Sequence, residues 1–112
     1  MLVTTEYMAE TASAMIEAGY KCELESIDRL RDGHLIYEGR RWTLRRDGVV
    51  LELEALRYPG GNEVFYLKIV QYHGISASSF PLDSWKLRPE RVEFKYYTHP
   101  ETGIGLAFDL SL

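Results

Sequence analysis

Arg41-Trp42-Thr43-Leu44-Arg45-Arg46-Asp47-Gly48-Val49-Val50-Leu51-Glu52-Leu53-Glu54 reads as two alternating runs joined by Asp-Gly. That dipeptide tolerates positive φ at both central positions of a type I′ turn, whose twist suits the strands on either side. With Arg46 opposite Val49, the pairing runs on through Arg45 with Val50, Leu44 with Leu51, Thr43 with Glu52, Trp42 with Leu53 and Arg41 with Glu54. Strand side chains alternate, so Trp42, Leu44, Leu51 and Leu53 share one face and Arg41, Thr43, Arg45, Glu52 and Glu54 the other. A slip of one residue would mix the two sets, so the register is strongly specified.

Outward from this hairpin, the period changes along the chain. Residues 4–18 have the helical spacing, with Met8, Ala12, Met15 and Ile16 on one stripe and Glu6, Glu10, Ser13 and Glu17 elsewhere. Thr4 or Thr5 can cap the start, Gly19 can close the end, and the early glutamates suit the positive end of the helix dipole. After Gly19, Tyr20, Cys22 and Leu24 alternate with charged residues as in a half-buried strand. Asp32-Gly33 marks a turn into residues 34–38, and Gly39 is expected to break or bulge the chain before the Arg41 strand.

Tyr58-Pro59-Gly60-Gly61-Asn62 closes a second hairpin between residues 49–57 and 63–72. The strand over 64–72 is apolar or aromatic on both faces, which predicts a central position. Near the end, Val92, Phe94 and Tyr96 alternate with charges. After His99-Pro100-Glu101-Thr102-Gly103, the residues Ile104, Leu106, Phe108, Leu110 and Leu112 alternate with the small Gly105, Ala107 and Ser111 and with Asp109. These predict a third hairpin. The sum is an α+β domain, one N-terminal helix packed on a twisted, mostly antiparallel meander sheet of about six to seven strands.

Residues 73–90 lack a clear period. A connection of that length is uncommon unless it is functional or holds a short helix. Asp83 or Ser84 could cap one helical turn bearing Trp85 and Leu87.

The chain has 112 residues, near the commonest domain size, so one domain over 1–112 is expected. A net charge of −4 argues against general affinity for nucleic acid or an anionic membrane. The charge is segregated: residues 1–26 hold five Glu and one Lys, whereas 29–46 hold six Arg against Asp32 and Glu38. One cysteine, Cys22, allows no intramolecular disulfide. No run approaches a membrane span and the start lacks the form of a signal peptide, so a soluble cytoplasmic protein is expected.

Candidate chemistry is sparse. His34, His73 and His99 are not spaced as ligand pairs, and no metal or cofactor is expected. Ser76, Ser78 and Ser79 form no nucleophile elbow, and no catalytic residue is assigned. Glu52 and Glu54 read better as cross-strand ion-pair partners than as an acid–base pair. Arg40, Arg41, Arg45 and Arg46 with Trp42 could clamp phosphates and stack a base, but the register turns Trp42 to the leucine face. A charged edge hairpin that resists strand addition explains them as well.

The leading expectation is a non-catalytic binding protein, such as an adaptor, inhibitor or immunity-type factor, with an unidentified protein partner. Its surface would draw on Phe80, Leu82, Trp85 and Arg88 of the 73–90 segment and on Arg41 and Arg45 of the basic hairpin. One alternative is a small-molecule or enzymatic pocket between sheet and helix, with Tyr66, Tyr72, Tyr96 or His73 pointing inward. Another is nucleic-acid binding through the arginine hairpin. A homodimer through an edge strand or the small-residue face of the last strand is compatible with the pattern.

Overall fold

The structure, a computed structural model, describes residues 4–72, 75–88, 91–96 and 107–111, the stretches from 75 onward as backbone only except at Val92. His73, His99, the expected 99–103 turn and Ile104, Gly105, Leu106 and Leu112 lie outside the described residues.

Helix α1 spans Thr5–Glu17. Thr4 is its N-cap: the Thr4 hydroxyl accepts a 3.2 Å hydrogen bond from the Tyr7 amide. At the other end the amides of Gly19 and Tyr20 donate to the carbonyls of Ile16 and Met15, each at 3.0 Å, with Gly19 at φ +101°. That is a Schellman closure, which needs a residue free to adopt positive φ. Arg46 completes it by donating to the Ala18 carbonyl at 2.8 Å, with its guanidinium 4.4 Å from the centre of the Tyr20 ring. A cation is placed where the helix dipole is negative.

Met8, Ala12 and Met15 are buried as expected, but Ile16 is 49% exposed. Thr11 takes the buried place instead, its hydroxyl donating to the Tyr7 carbonyl at 2.8 Å. This bond satisfies the buried hydroxyl within the helix, which is why a polar residue is tolerated there.

The helix packs on an antiparallel sheet made of β1 (Lys21–Arg31), β2 (His34–Arg46), β3 (Val49–Arg57) and β4 (Glu63–Tyr72). The β2–β3 register is the one read from the sequence, from Arg46 opposite Val49 to Arg41 opposite Glu54. Asp47 and Gly48 have φ of +41° and +81°, and Asp32 and Gly33 at the β1–β2 turn have +52° and +77°, the sign that type I′ turns require. Trp42, Leu44, Leu51, Leu53, Leu67 and Ile69 are buried with Met8 and Met15 in one cluster that Val92 joins. Each large side chain removed from water in this way stabilises the fold by roughly 1.5–3 kcal/mol.

Two expectations about β2 are corrected. Gly39 neither breaks nor bulges the strand: it pairs with Ile27 on one side and Leu56 on the other. Its lack of a side chain serves a close approach, because a Cβ there would collide with the backbone carbonyl of Ala55. The arginine strand is also not at an edge. β2 lies between β1 and β3, and β1 holds the outer position.

Within the segment read as lacking a period, the described residues form neither a loop nor a helical turn: Ile75–Arg88 is strand β5. Its first half pairs with β4, ending at Pro81 opposite Tyr66, and its second half pairs with β6 (Arg91–Tyr96), beginning at Leu82 opposite Tyr96. Strand β7 (Ala107–Ser111) pairs in turn with β6. Pro81 is accommodated because it sits where β5 passes from one neighbour to the next, so its missing N–H breaks no two-sided ladder. The register shifts between Leu82 and Ser84, and this extra residue is what erased the period.

The dimensions of helix and strands then decide what is covered. Thirteen helical residues rise about 20 Å at ~1.5 Å each, whereas the thirteen of β2 run about 43 Å at ~3.3 Å each. The far half of the β1–β2 hairpin extends past the helix. Gly39→Ala should destabilise the protein by about 1–3 kcal/mol, because the new methyl meets rigid backbone. Urea unfolding of the purified variant measures this.

Candidate functional site

On the face of the sheet away from α1, Arg41 gathers three carboxylates. Its Nε lies 2.9 Å from Glu54 and 3.7 Å from Glu52, and its Nη1 lies 3.0 Å from Glu25. Lys68 approaches Glu52 at 3.9 Å, and Arg45 pairs with Glu23 at 3.3 Å. Glu52 and Glu54 are only 19% and 17% exposed, so the cluster is partly withdrawn from water. Burial works against the Arg41 charge, but its hydrogen bonds to Glu54 and Glu25 and the charges of Glu54 and Glu52 overcome this and raise its pKa. Thr43, expected on this polar face, is buried at a position flanked by Glu23 and Glu52 on the adjacent strands.

The basic hairpin is thereby dispersed. Arg41 and Arg45 are engaged with glutamates, Arg46 closes the helix, and Arg40 is exposed on the opposite alternation. Trp42 is in the core, so the aromatic that the nucleic-acid reading needs for stacking is not on the surface. Tyr66 is paired with Glu54, on the Arg41 face, and does not point toward the helix. The other inward candidates, Tyr72, Tyr96 and His73, have no described side chain.

Three exposed leucines on the β1–β2 hairpin have no counterpart among the sequence expectations. Leu24 and Leu30 are 59% and 61% exposed, and Leu35, paired with Leu30, is also exposed. All three belong to the alternation that is buried further along under α1, since Leu24 is opposite Trp42. For Leu30 and Leu35 the signal was present in the sequence as a length mismatch, since thirteen residues of helix cannot roof strands of eleven and thirteen. Leu24, level with the buried Trp42, is exposed because β1 is the outer strand.

Between the helix start and this hairpin lies an open cleft of about 520 Å³. Ser26, Asp28, Glu38, Arg40, Arg57 and Glu63 line it together with the buried Ala55 and Leu56. The volume suits a small ligand, but the walls carry charges of both signs and are more polar than most ligand pockets.

Of the expected partner-binding residues, Arg41 and Arg45 lie in the ion-pair lattice just described. Phe80, Leu82, Trp85 and Arg88 are all in β5, opposite Leu67, Tyr96, Phe94 and Arg91 respectively. Their side chains lie outside the described residues. Among the described residues no group of three or more His, Cys, Asp or Glu is placed to hold a metal ion, and no helix is long and apolar enough to cross a membrane. The chain matches no protein-family model, no curated protein and no solved structure.

Replacing Arg41 by Met should cost about 1–2 kcal/mol, because Glu52 and Glu54 then repel one another in a partly dry site. Thermal and urea unfolding of the variant check it, and the loss should shrink in high salt. Cys22 gives a second expected outcome. Burial, with a smaller contribution from the Glu23 charge, raises its thiol pKa, so less thiolate exists at neutral pH than for a free cysteine. Alkylation at pH 7 should be slower than that of a free cysteine and should accelerate only at more alkaline pH.

Proposed function

We propose that this is a small, soluble, cytoplasmic binding protein of the adaptor, inhibitor or immunity type, acting through a protein surface rather than through catalysis. In this reading the chain is one domain, a meander of six to seven strands under a single helix. The observation that carries it is the run of exposed leucines, Leu24, Leu30 and Leu35, on a hairpin that extends beyond its own helix. Leucines left in water along one side of a strand mark a surface suited to another protein. On the charged face opposite, Arg41 and Arg45 are held by glutamates, so the arginines of the central hairpin offer little general attraction to a polyanion.

Phe80, Leu82, Trp85 and Arg88 form a second candidate surface, supported by aromatic and arginine content typical of binding hot spots. Affinity capture from the native host, with mass spectrometry, tests both surfaces together. L24K/L30K should lose the partner if the hairpin is the contact, and F80A/W85A should lose it if β5 is. Capture of the same protein by wild type and by both folded variants would remove this reading.

The cleft lined by Asp28, Arg40 and Arg57 favours a runner-up, a small polar ligand held beside the helix start. That reading expects chemical-shift changes confined to those residues in a metabolite screen. A screen that leaves them unmoved disposes of it.

A further inference from the structure

Among the described residues β1 pairs with β2 on one side and with no strand on the other. Its outer edge is unbroken. Where the β1–β2 register shifts, Arg29 is opposite Tyr37 and Leu30 opposite Leu35, so the extra residue, Ile36, belongs to β2. An eleven-residue regular edge flanked by exposed leucines is a template for another strand, since its outward N–H and C=O groups have no strand to meet.

The strand also carries a charge pattern that fits itself. Glu23 and Glu25 precede Ile27, and Arg29 and Arg31 follow it at the mirrored distances. We propose that the occupant of this edge is β1 of a second copy of this chain, paired antiparallel about a two-fold axis through Ile27. The proposal rests on the reading of the hairpin as a protein-binding surface, and it names the partner.

Residues opposite one another in an antiparallel pair share a face, so a two-fold continuation of the sheet must be centred on a residue rather than between two. Centring on Ile27 sets Glu23 against Arg31 of the other copy and Glu25 against its Arg29. By symmetry each ion pair occurs twice. The same register places Leu24 against Leu30 and Ile27 against itself. It therefore covers the two most exposed leucines of the hairpin and gives counter-charges to Arg29 and Arg31, which make no ion pair among the described residues.

Glu23 and Glu25 stay 75% and 55% exposed despite their contacts with Arg45 and Arg41, so each keeps acceptor capacity for a second arginine. Neighbouring registers fail on chemistry. Centring on Ser26 puts Lys21 against Arg31 and Leu24 against Asp28. Centring on Asp28 puts Asp28 against itself and Ile27 against Arg29. Like charges directly opposite are destabilising, so one register is selected.

Sedimentation of the purified full chain at about 100 µM tests the assembly, and single-cysteine cross-linking tests the register. The expected result is a dimer whose dissociation constant rises at least about tenfold in R29E/R31E, where like charges replace all four ion pairs. Circular dichroism confirms that the variant is folded, and R29E alone carries the same test if the double variant is not. Under mild oxidation C22S/I27C should form a covalent dimer, while C22S/S26C and C22S/D28C should not.

A wild-type monomer at that concentration, a dimer indifferent to R29E/R31E, or cross-linking at Ser26 in place of Ile27 would overturn the proposal. A monomer that still captures a foreign protein through Leu24 and Leu30 defeats the second copy alone. A monomer that captures nothing defeats the hairpin reading as well.

Discussion

The turn at Asp47-Gly48 is the constraint on which the rest of the molecule depends. Positive φ at both residues ends β2 and starts β3 with no slack, so Arg46 must face Val49 and every later pair follows. One face then collects Trp42, Leu44, Leu51 and Leu53 for the core, and the other collects Arg41 with Glu52 and Glu54. A slip by one residue would bury the charges and expose the leucines, which a fold stabilised by only about 5–15 kcal/mol does not tolerate. Arg46, the last residue before the turn, carries the same constraint into the helix by binding its final carbonyl and stacking on Tyr20.

From that register comes the division between structural and available surface. Charges that look like a basic patch in sequence are separated by alternation, and two of them are neutralised across strands, with Glu23 and Glu25 of the acidic N-terminal region meeting Arg45 and Arg41 of the basic hairpin. The segregation of charge along the chain is therefore, at Arg41 and Arg45, complementarity within the fold. What remains for an outside partner is set by length and strand order: the helix ends before the strands do, leaving Leu30 and Leu35 uncovered, and β1 is the outer strand, leaving Leu24 uncovered. A surface of this kind arises without special residues, which is why no motif announces it.

Much of the fold was legible because its signals are local. The helix with its Thr4 cap and Gly19 closure, both Asp-Gly turns and the Tyr58–Asn62 turn each rest on residues adjacent in sequence. Readings failed where the deciding contact was distant. Gly39 looked like a break because a lone glycine in a strand often is one, yet what requires it is the Ala55 carbonyl sixteen residues away. Ile16 fitted the helical stripe, but its position on the cylinder falls beyond the sheet, and Thr11 is covered instead. The β5 strand was hidden by one extra residue near Asp83, which shifts the alternation midway, and by Pro81, which is tolerable only where the strand changes neighbours. Of the candidate site, the ion pairs of Arg41 with Glu54 and Glu52 followed from register, whereas the exposed leucines did not, because exposure depends on what another element fails to reach.

The sequence by itself determined the α+β pairing of one capped helix with antiparallel strands, and the register of the central hairpin, since turn chemistry and two-residue alternation act between neighbours along the chain. Only the tertiary structure decided which strand became the edge, which apolar positions stayed in water, and where the arginines found their carboxylates. Those outcomes depend on the relative lengths and stacking order of whole elements, and burial is a property of the space around a residue rather than of the residue.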